Sequence, residues 1–372
     1  MVKHRTIFLP LCILLTCVIP QESLPCTSFC LEYAEGFVCG SNLDWYLGDG
    51  LVIVNKRGVL KTALTYVNKD PAPNSWISQY GSITFNQYGR EVTFSGMNEA
   101  GLVVSTMMLP ETEYPAPDSR SSVGPGQWTQ YQLDNFSTVK EVIASDSQLR
   151  MKSAPGIPGC HYLVSDRTGC CAIIEFLNGK LVYYSHETMP VNALTNSPYA
   201  QCIEFWTQRK PSIPDAYQSF ERFVRAADMI KTYDPKISKS AVAYAFDILT
   251  HVAVGEVKKS GGQRIRSSGA TEWSIVYDIQ NRIIYFRTFE NKKIRQINVG
   301  TFDFSCATPV QVLDINTELS GDLTHNFINY TRQINRKLIG SAYRKTPFLQ
   351  HFSDNLLDAI ARYPDTTTCT SK

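Results

Sequence analysis

The sequence predicts an α+β fold in layers, because short strands follow one another closely and the few helical segments interrupt this series without alternating with it. Tight turns support the interpretation: Arg167, Thr168 and Gly169 separate one pair of apolar runs, and Asn178 with Gly179 separates the next. Runs joined so closely are typical of antiparallel meanders. The predicted strands cover residues 51–54, 102–107, 161–164, 172–176, 181–184, 273–277 and 283–286.

Three segments carry the signals of α-helices. Thr138 and Glu141 have the spacing of a capping box ahead of an apolar run. Two later segments place their apolar residues at helical spacing, so each has one apolar face. These residues are Phe220, Phe223, Val224 and Ala227, and then Val242, Ala245, Phe246 and Leu249. By contrast, Pro115, Pro117 and Pro125, with the Ser and Gly residues around them, predict an exposed loop.

Composition excludes several classes of protein. The chain has 372 residues, with 36 Lys and Arg against 34 Asp and Glu, and its formal net charge is +2. This balance lacks the basic excess of a nucleic-acid-binding surface. Hydrophobic residues make up 43% of the chain, which is enough for a packed core and excludes disordered, collagen-like and coiled-coil chains.

The first residues predict export. Lys3, His4 and Arg5 precede an apolar run from Ile7 to Pro20, which is the order of a signal peptide. A membrane anchor is the alternative, but the run is shorter than the roughly 20 apolar residues that a spanning helix needs. We therefore expect residues 1–25 to be a signal peptide and leader that are removed. Residues 26–372 would form a single domain, secreted or periplasmic and without stable membrane insertion.

The cysteines fit an oxidising compartment. If the leader ends at residue 25, Cys26 begins the chain and eight further cysteines remain to form bridges: Cys30, Cys39, Cys160, Cys170, Cys171, Cys202, Cys306 and Cys369. Their pairing stays open at this level. The chain has no CxxC pair and no HExxH motif, so neither a metal site nor a cofactor is expected.

The residues after Cys26 predict a β-hairpin. Apolar and polar residues alternate over 29–33, a turn follows around Glu35, and an apolar run resumes at Phe37. Folding the chain about Glu35 pairs residues whose numbers add up to about 70. Asp44 is therefore expected opposite Cys26.

Cys26 at the start of a mature chain would combine two reactive groups. An α-amine has an ordinary pKa of about 7.7 to 8.0 and a thiol one of about 8.5, so a single residue can supply both base and nucleophile for attack on an amide. Asp44, brought across the hairpin, is suited to hold the ammonium form. Two alternatives stay open: Cys26 as a structural half-cystine, and Asp44 as a turn residue at the end of the hairpin.

Five short motifs in one order carry a family resemblance. They are CTSF at 26–29, GSNLDW at 40–45, GMNEAGL at 96–102, LTNSP at 194–198 and ERFVRAA at 221–227. Each is weak alone, but five in register are specific. The chain resembles the choloylglycine hydrolase, or linear amide C–N hydrolase, family of N-terminal nucleophile enzymes, which includes bile salt hydrolases and penicillin V acylases.

The resemblance implies a four-layer αββα fold and hydrolysis of N-acyl amides through a Cys26 thioester, with no cofactor. Asp44 would contact the amine of the nucleophile, Asn196 would donate its side-chain amide to the oxyanion, and Arg222 would lie against the nucleophile. The backbone N–H at the position of Met108 would be the second oxyanion donor. Because family members are often homotetramers, the resemblance also implies a possible homo-oligomer.

Two positions depart from the family pattern. Ser41 stands where the family has an arginine, which removes a cation that helps to ionise the thiol. Met108 stands where bile salt hydrolases have asparagine, so a backbone donor remains but a side-chain contact does not. Met107 and Leu109 beside it are expected to line an apolar acyl site. The expected partner is a small N-acyl amide: penicillin V, an N-acyl homoserine lactone, a conjugated bile salt or an N-acyl lipid.

A second class of function stays open at this level. A secreted, disulfide-stabilised binding protein could keep the fold and lack activity, which Ser41 and the unfavourable cleavage site after Pro25 both favour. The two hypotheses differ in the mature N-terminus. The hydrolase must begin at Cys26, whereas the binding protein can retain Leu24 and Pro25.

Overall fold

The computed structural model describes residues 25–34, 36–65, 72–153, 156–208, 218–236, 240–255, 258–260, 263–265 and 269–370. The predicted leader, apart from Pro25, and the predicted bend at Glu35 lie outside these ranges. The helices are α1 Pro125–Asn135, α2 Val139–Ala144, α3 Tyr199–Gln208, α4 Ser219–Thr232, α5 Ala241–His251, α6 Arg332–Lys345 and α7 Asp354–Arg362.

The strands, in chain order, are β1 Cys26–Tyr33, β2 Gly36–Asp44, β3 Leu51–Asn55, β4 Val59–Thr62, β5 Ser75–Ile77, β6 Ser82–Asn86, β7 Thr93–Asn98, β8 Val103–Met108, β9 Ser121–Val123, β10 Leu149–Met151, β11 Cys160–Ser165, β12 Cys171–Leu177, β13 Lys180–Ser185, β14 Ala193–Leu194, β15 Lys258–Ser260, β16 Gln263–Ile265, β17 Thr271–Asp278, β18 Ile283–Thr288, β19 Arg295–Asn298, β20 Gln311–Asp314, β21 Gly321–Asp322, β22 Ile328–Asn329 and β23 Thr368–Cys369. All seven stretches predicted from the sequence coincide with strands of this set.

Two large sheets organise the molecule. The first sheet has the order β14-β1-β2-β17-β18-β19-β21, and the second has the order β13-β12-β11-β8-β7-β6-β3-β20-β22. Strands β11, β12 and β13 form the antiparallel meander that the turn residues predicted. The turn between β12 and β13 has φ of 52° at Asn178 and 71° at the glycine that follows. Such positive φ values are those of the two-residue turns that match strand twist.

The sheets face each other and carry helices on their outer sides. Helices α4 and α5 pack on β1 and β2, while α1 packs on β7 and β8. Alternate residues of β11 therefore serve two cores. Leu163 belongs to the core between the sheets, whereas Tyr162 and Val164 belong to the core beneath α1 and α2. The predicted α+β fold with four αββα layers is confirmed.

The three helices predicted from the capping box and from apolar spacing are present as α2, α4 and α5. The capping box is formed at α2, where Thr138 Oγ1 accepts from the Glu141 backbone N–H at 3.2 Å and Glu141 Oε2 accepts from the Thr138 N–H at 2.9 Å. Helices α4 and α5 cover the two segments with helical apolar spacing. Their apolar faces are buried because each covers the outer side of the first sheet.

The predicted loop around Pro115, Pro117 and Pro125 is wrong at its end. Pro125 is buried and is the first residue of α1, where the missing N–H of proline costs nothing. Helix α1 was missed because most of its buried side chains are polar, including Gln127 and Gln130. A helix without an apolar stripe gives no periodic signal.

Two disulfides show how four of the cysteines are paired, which the sequence left open. Cys30 bonds to Cys39 across the β1–β2 hairpin, and Cys306 bonds to Cys369 near the end of the chain. The other cysteines of the described residues are not bridged: Cys26, Cys160, Cys170, Cys171 and Cys202. The sulfur of Cys26 is therefore available for chemistry.

Candidate active site

Cys26 begins β1 and is 1% exposed. The hairpin register pairs Cys26 with Leu43 and Tyr33 with Gly36. The expected pairing of Cys26 with Asp44 is thus wrong by one residue, because the numbers of the paired residues add up to 69 and not to 70. Asp44 still lies beside Cys26: its carbonyl oxygen is 3.9 Å from Cys26 Sγ.

A glycine fixes the packing of this hairpin. Phe29 pairs with Gly40, and its ring lies over the glycine. A Cβ atom at Gly40 would come within 2.4 Å of the Phe29 ring, so any other residue would displace the ring or the strand. The GSNLDW motif therefore begins with the residue that lets β1 and β2 lie flat beneath the helices.

Asp44 is fully buried, and its carboxylate is only partly satisfied. Oδ1 accepts a hydrogen bond from the Thr271 hydroxyl, which β17 brings next to the end of β2. Oδ2 has no hydrogen-bond partner among the described residues. Burial raises the pKa of Asp44 to about 7, against the lowering effects of the Arg222 charge and the Thr271 bond. The site thus contains a carboxylate with one unused acceptor.

Arg222 connects the parts of the site. It lies on the buried face of α4, 1% exposed. Its Nη1 donates to the carbonyl oxygen of Cys26 and, at 2.7 Å, to Thr27 Oγ1. Its Nη2 donates to Asn196 Oδ1 at 3.0 Å. Burial lowers the pKa of Arg222, while the nearby Asp44 and Cys26 act to raise it. The guanidinium clamps the first two residues of β1.

Asn196 follows β14. Because β14 pairs with β1, the segment that carries Asn196 lies next to Cys26. Its Oδ1 accepts from the backbone nitrogen of Cys26. Its Nδ2 donates to the carbonyl oxygen of Met108 at 2.9 Å. Met108 ends β8 opposite Cys160. The structure therefore brings Cys26, Asp44, Asn196, Arg222 and Met108 together, although they come from distant parts of the chain.

The thiol of Cys26 is neutral in this environment. Burial is the main cause that raises its pKa to about 12, and the negative charge of Asp44 adds to the effect. The hydrogen bond to the Asp44 carbonyl and the positive charge of Arg222 act in the opposite direction. Since the described chain still carries Pro25 ahead of Cys26, the nitrogen beside the thiol is an amide here and cannot act as a base.

An apolar cavity of about 210 Å³ lies in front of Cys26. A single water needs about 10–15 Å³ on this scale, so the space suits an acyl group of many atoms. Lys152 is the only charged residue among the described residues that line the cavity. The lining includes Cys26, Trp45, Phe94, Met107, Tyr343 and Phe348.

The residues predicted for the acyl site fall in different places. Met107 is fully buried and lines the cavity, as does Met108. Leu109 is also fully buried but is not among the lining residues. Ser41 points into the sandwich, where it accepts from the Ser28 hydroxyl at 3.0 Å. A small hydroxyl pair thus occupies the place expected for a cation.

Three contacts were not found from the sequence. Thr27 could have been suspected from its place in the CTSF motif, and Trp45 from its position directly after Asp44. Thr271 left no signal, because it meets Asp44 through a strand pairing across most of the chain. The aromatic lining from the C-terminal helices gave no signal either.

Neither a metal cluster nor a membrane helix is present in the part of the chain that the structure describes. No group of three or more His, Cys, Asp or Glu side chains there is arranged to hold a metal ion. Within the same ranges, no helix has both the length and the apolar character to cross a bilayer.

The chain is similar in sequence to known amide hydrolases. The profile of the linear amide C–N hydrolases, choloylglycine hydrolase family, matches residues 26–211 and 203–312. Penicillin V acylase of Pectobacterium atrosepticum is 28% identical over 263 residues, covering 62% of this chain and 69% of the relative. A bile salt hydrolase/transferase of Clostridium perfringens is 25% identical over 318 residues, covering 74% of this chain and 92% of the relative.

Solved structures agree with the fold. Penicillin V acylase from Agrobacterium tumefaciens superposes with a TM-score of 0.67 at 26% identity, covering 82% of this chain and 98% of that chain. A variant of conjugated bile acid hydrolase from Clostridium perfringens has a TM-score of 0.63 at 21% identity, covering 79% of this chain and 98% of that chain. The second likeness shows the fold alone.

Proposed function

The chain belongs to the choloylglycine hydrolase family of linear amide C–N hydrolases, and we propose that it cleaves an N-acyl amide with the Cys26 thiol as nucleophile, after removal of residues 1–25. One observation carries the proposal. The unbridged Cys26 lines an apolar cavity while its own backbone nitrogen is held by Asn196 Oδ1. Nucleophile, nitrogen and acyl space therefore meet at one residue.

Release of Cys26 changes the nitrogen from an amide to an amine. The amine then takes the thiol proton, and the thiolate attacks the substrate carbonyl. The amide C–N bond breaks as the Cys26 ammonium returns a proton to the leaving nitrogen, which leaves an acyl thioester on Sγ. Water, deprotonated by the same amine, hydrolyses the thioester and restores the thiol.

Asp44 supports the charged state of the amine. An ammonium has more N–H donors than the amide it replaces, and Asn196 Oδ1 takes one of them. Asp44 Oδ2 is the buried acceptor that has no partner among the described residues. An ammonium beside it offsets the desolvation of the carboxylate, so each charge stabilises the other.

The oxyanion is assigned to two donors. Asn196 Nδ2 has two hydrogens, and one of them is used on the Met108 carbonyl. The second hydrogen and the Met108 backbone N–H would hold the developing negative charge. Arg222 is a positioning residue, since it holds the Cys26 carbonyl and Asn196 in place.

The cavity indicates an apolar acyl group. Met107 lies in the lining and would contact the acyl group, while the fully buried Leu109 would support it from behind. Penicillin V and conjugated bile salts, the substrates in the names of the relatives, both carry such groups. We also propose that the protein is exported, because its two disulfides are stable in an oxidising compartment.

The test is hydrolysis of chromogenic N-acyl amides by the chain that begins at Cys26. Replacement Cys26→Ser should lower turnover by about a thousandfold or more, and intact-mass measurement should show an acyl adduct on wild-type protein. The matched control is Cys202→Ser, which changes another buried, unbridged thiol outside the cavity and should leave turnover unchanged. Unaltered turnover in Cys26→Ser, or an adduct mapped to Cys160, would refute the role of Cys26.

A further inference from the structure

One wall of the acyl cavity comes from the C-terminal part of the chain. Tyr343 of α6, Phe348 and Leu349 after it, and Ile360 of α7 all line the cavity that Cys26 lines. The family profile ends at residue 312. This wall of the cavity is therefore built by residues outside the family match.

This wall is packed against the nucleophile hairpin. Phe348 makes edge-to-face contacts with Trp45 and Tyr46, each with ring centroids 6.3 Å apart. Trp45 directly follows Asp44 in the chain. In addition, the Tyr88 and Thr346 hydroxyls lie 2.6 Å apart, and Tyr88 also bonds to the Trp45 indole. The position of Phe348 is thus tied to the catalytic end of β2.

Further contacts hold the C-terminal helices in place. Arg336 of α6 bonds to Asp354 and Asp358 of α7. The Tyr363 hydroxyl donates to the Thr62 carbonyl at 2.6 Å. The Cys306–Cys369 disulfide and the pairing of β23 with β4 fasten the end of the chain. These contacts hold the C-terminal wall of the cavity in one position relative to Cys26.

We propose that the segment 332–362 is the end wall of the acyl site and sets the longest acyl chain that the enzyme accepts, with Phe348 and Leu349 as specificity-determining residues. This inference rests on the proposed function, because it assigns the cavity to the acyl group. Each methylene that enters an apolar cavity improves binding about fourfold. The gain stops where the chain meets Phe348, since a filled cavity resists further atoms.

The experiment measures kcat/KM for straight-chain N-acyl amides of one amine, lengthened in two-carbon steps. Phe348→Ala and Leu349→Ala should move the preferred length upward by at least one step. Phe348→Trp should move it downward. An unchanged preferred length in all three variants would overturn the inference.

The matched control is Phe352→Ala. Phe352 is half-buried in the same aromatic and aliphatic cluster as Phe348, four residues away, but does not line the cavity. Its removal should lower stability as Phe348→Ala does and leave the preferred length where it is. An equal shift from Phe352→Ala would assign the effect to general loosening and refute the wall.

A binding assay separates this inference from the proposed function. In Cys26→Ala protein, binding of straight-chain carboxylic acids can be followed by quenching of Trp45 fluorescence. The affinity should be highest at one chain length, and Phe348→Ala should increase that length. If no amide is hydrolysed but this shift occurs, the proposed function fails and the wall stands. If amides are hydrolysed and neither kcat/KM nor binding depends on Phe348, the wall fails alone.

Discussion

Two buried aspartates, Asp134 and Asp44, differ in how completely their carboxylates are hydrogen-bonded. Asp134 is satisfied on both oxygens: Oδ2 accepts from Lys61 Nζ at 2.9 Å and from Trp76 Nε1 at 2.8 Å, and Oδ1 accepts from Gln130 Nε2 at 2.8 Å. Asp44 has one bonded oxygen and one without a partner among the described residues. A carboxylate with a complete set of partners stabilises the fold, whereas a carboxylate with an unused acceptor can still bind a further cation.

The cations differ in the same way. Lys61 contacts two carboxylates, Glu91 at 2.7 Å and Asp134. Burial acts to lower the pKa of Lys61, but the two carboxylates outweigh it and hold the pKa above its ordinary value. Near Asp44, Arg222 donates hydrogen bonds to Cys26, Thr27 and Asn196. We propose that the cation that completes the partners of Asp44 is the α-ammonium of Cys26 after removal of residues 1–25.

The largest effect on stability is expected from Lys61→Met. Removing one partner of a buried ion pair leaves uncompensated charge, which costs about 3–5 kcal/mol of unfolding free energy. Urea denaturation measures the loss. The matched control is Lys56→Met, because Lys56 Nζ bonds to the Asp303 carbonyl and the Thr308 hydroxyl, so no buried carboxylate is stranded. Equal losses in both variants would contradict the structural role of the Lys61 cluster.

A smaller effect, with opposite sign, is expected from Asp44→Asn in the chain that keeps Pro25. Because the pKa of Asp44 is raised to about 7, the folded state binds a proton that the unfolded state releases near pH 4. The stability contribution is therefore present below pH 4 and is lost as pH rises to 7. At pH 8 the asparagine variant should be more stable than wild type, by up to about 4 kcal/mol at about 1.4 kcal/mol per pKa unit.

In contrast to Asp44→Asn, the variant Asp134→Asn should lower stability at both pH 5 and pH 8. Unfolding free energies of the two asparagine variants at these pH values are the measurement. If Asp44→Asn lost stability at pH 8 as Asp134→Asn does, Asp44 would be a structural residue.

Local patterns predicted nine of the 23 strands and three of the seven helices in the described residues, and longer-range contacts were missed for physical reasons. The hairpin, the β11–β13 meander and helices α2, α4 and α5 depend on alternation, turns and caps within a few residues. The register error at Cys26 came from the turn, where one residue decides which side chain is opposite. Thr271 was invisible because its partner Asp44 lies across a pairing of distant strands.

The site was predicted from motifs more than from physics. The family resemblance identified Asn196 and Arg222, and the structure places both in contact with Cys26. It could not identify Phe348 or Leu349, since the motifs end far ahead of them. Helix α1 was hidden for another reason, because most of its buried residues are polar.

The central claim is that Cys26 reacts only as the first residue of the chain. The direct measurement compares hydrolysis of one N-acyl amide by protein that begins at Cys26 and by protein that retains Leu24 and Pro25, with thermal unfolding showing that both are folded. We predict turnover and an acyl thioester on Cys26 in the first protein and neither in the second. Comparable kcat/KM values for the two proteins would contradict the claim.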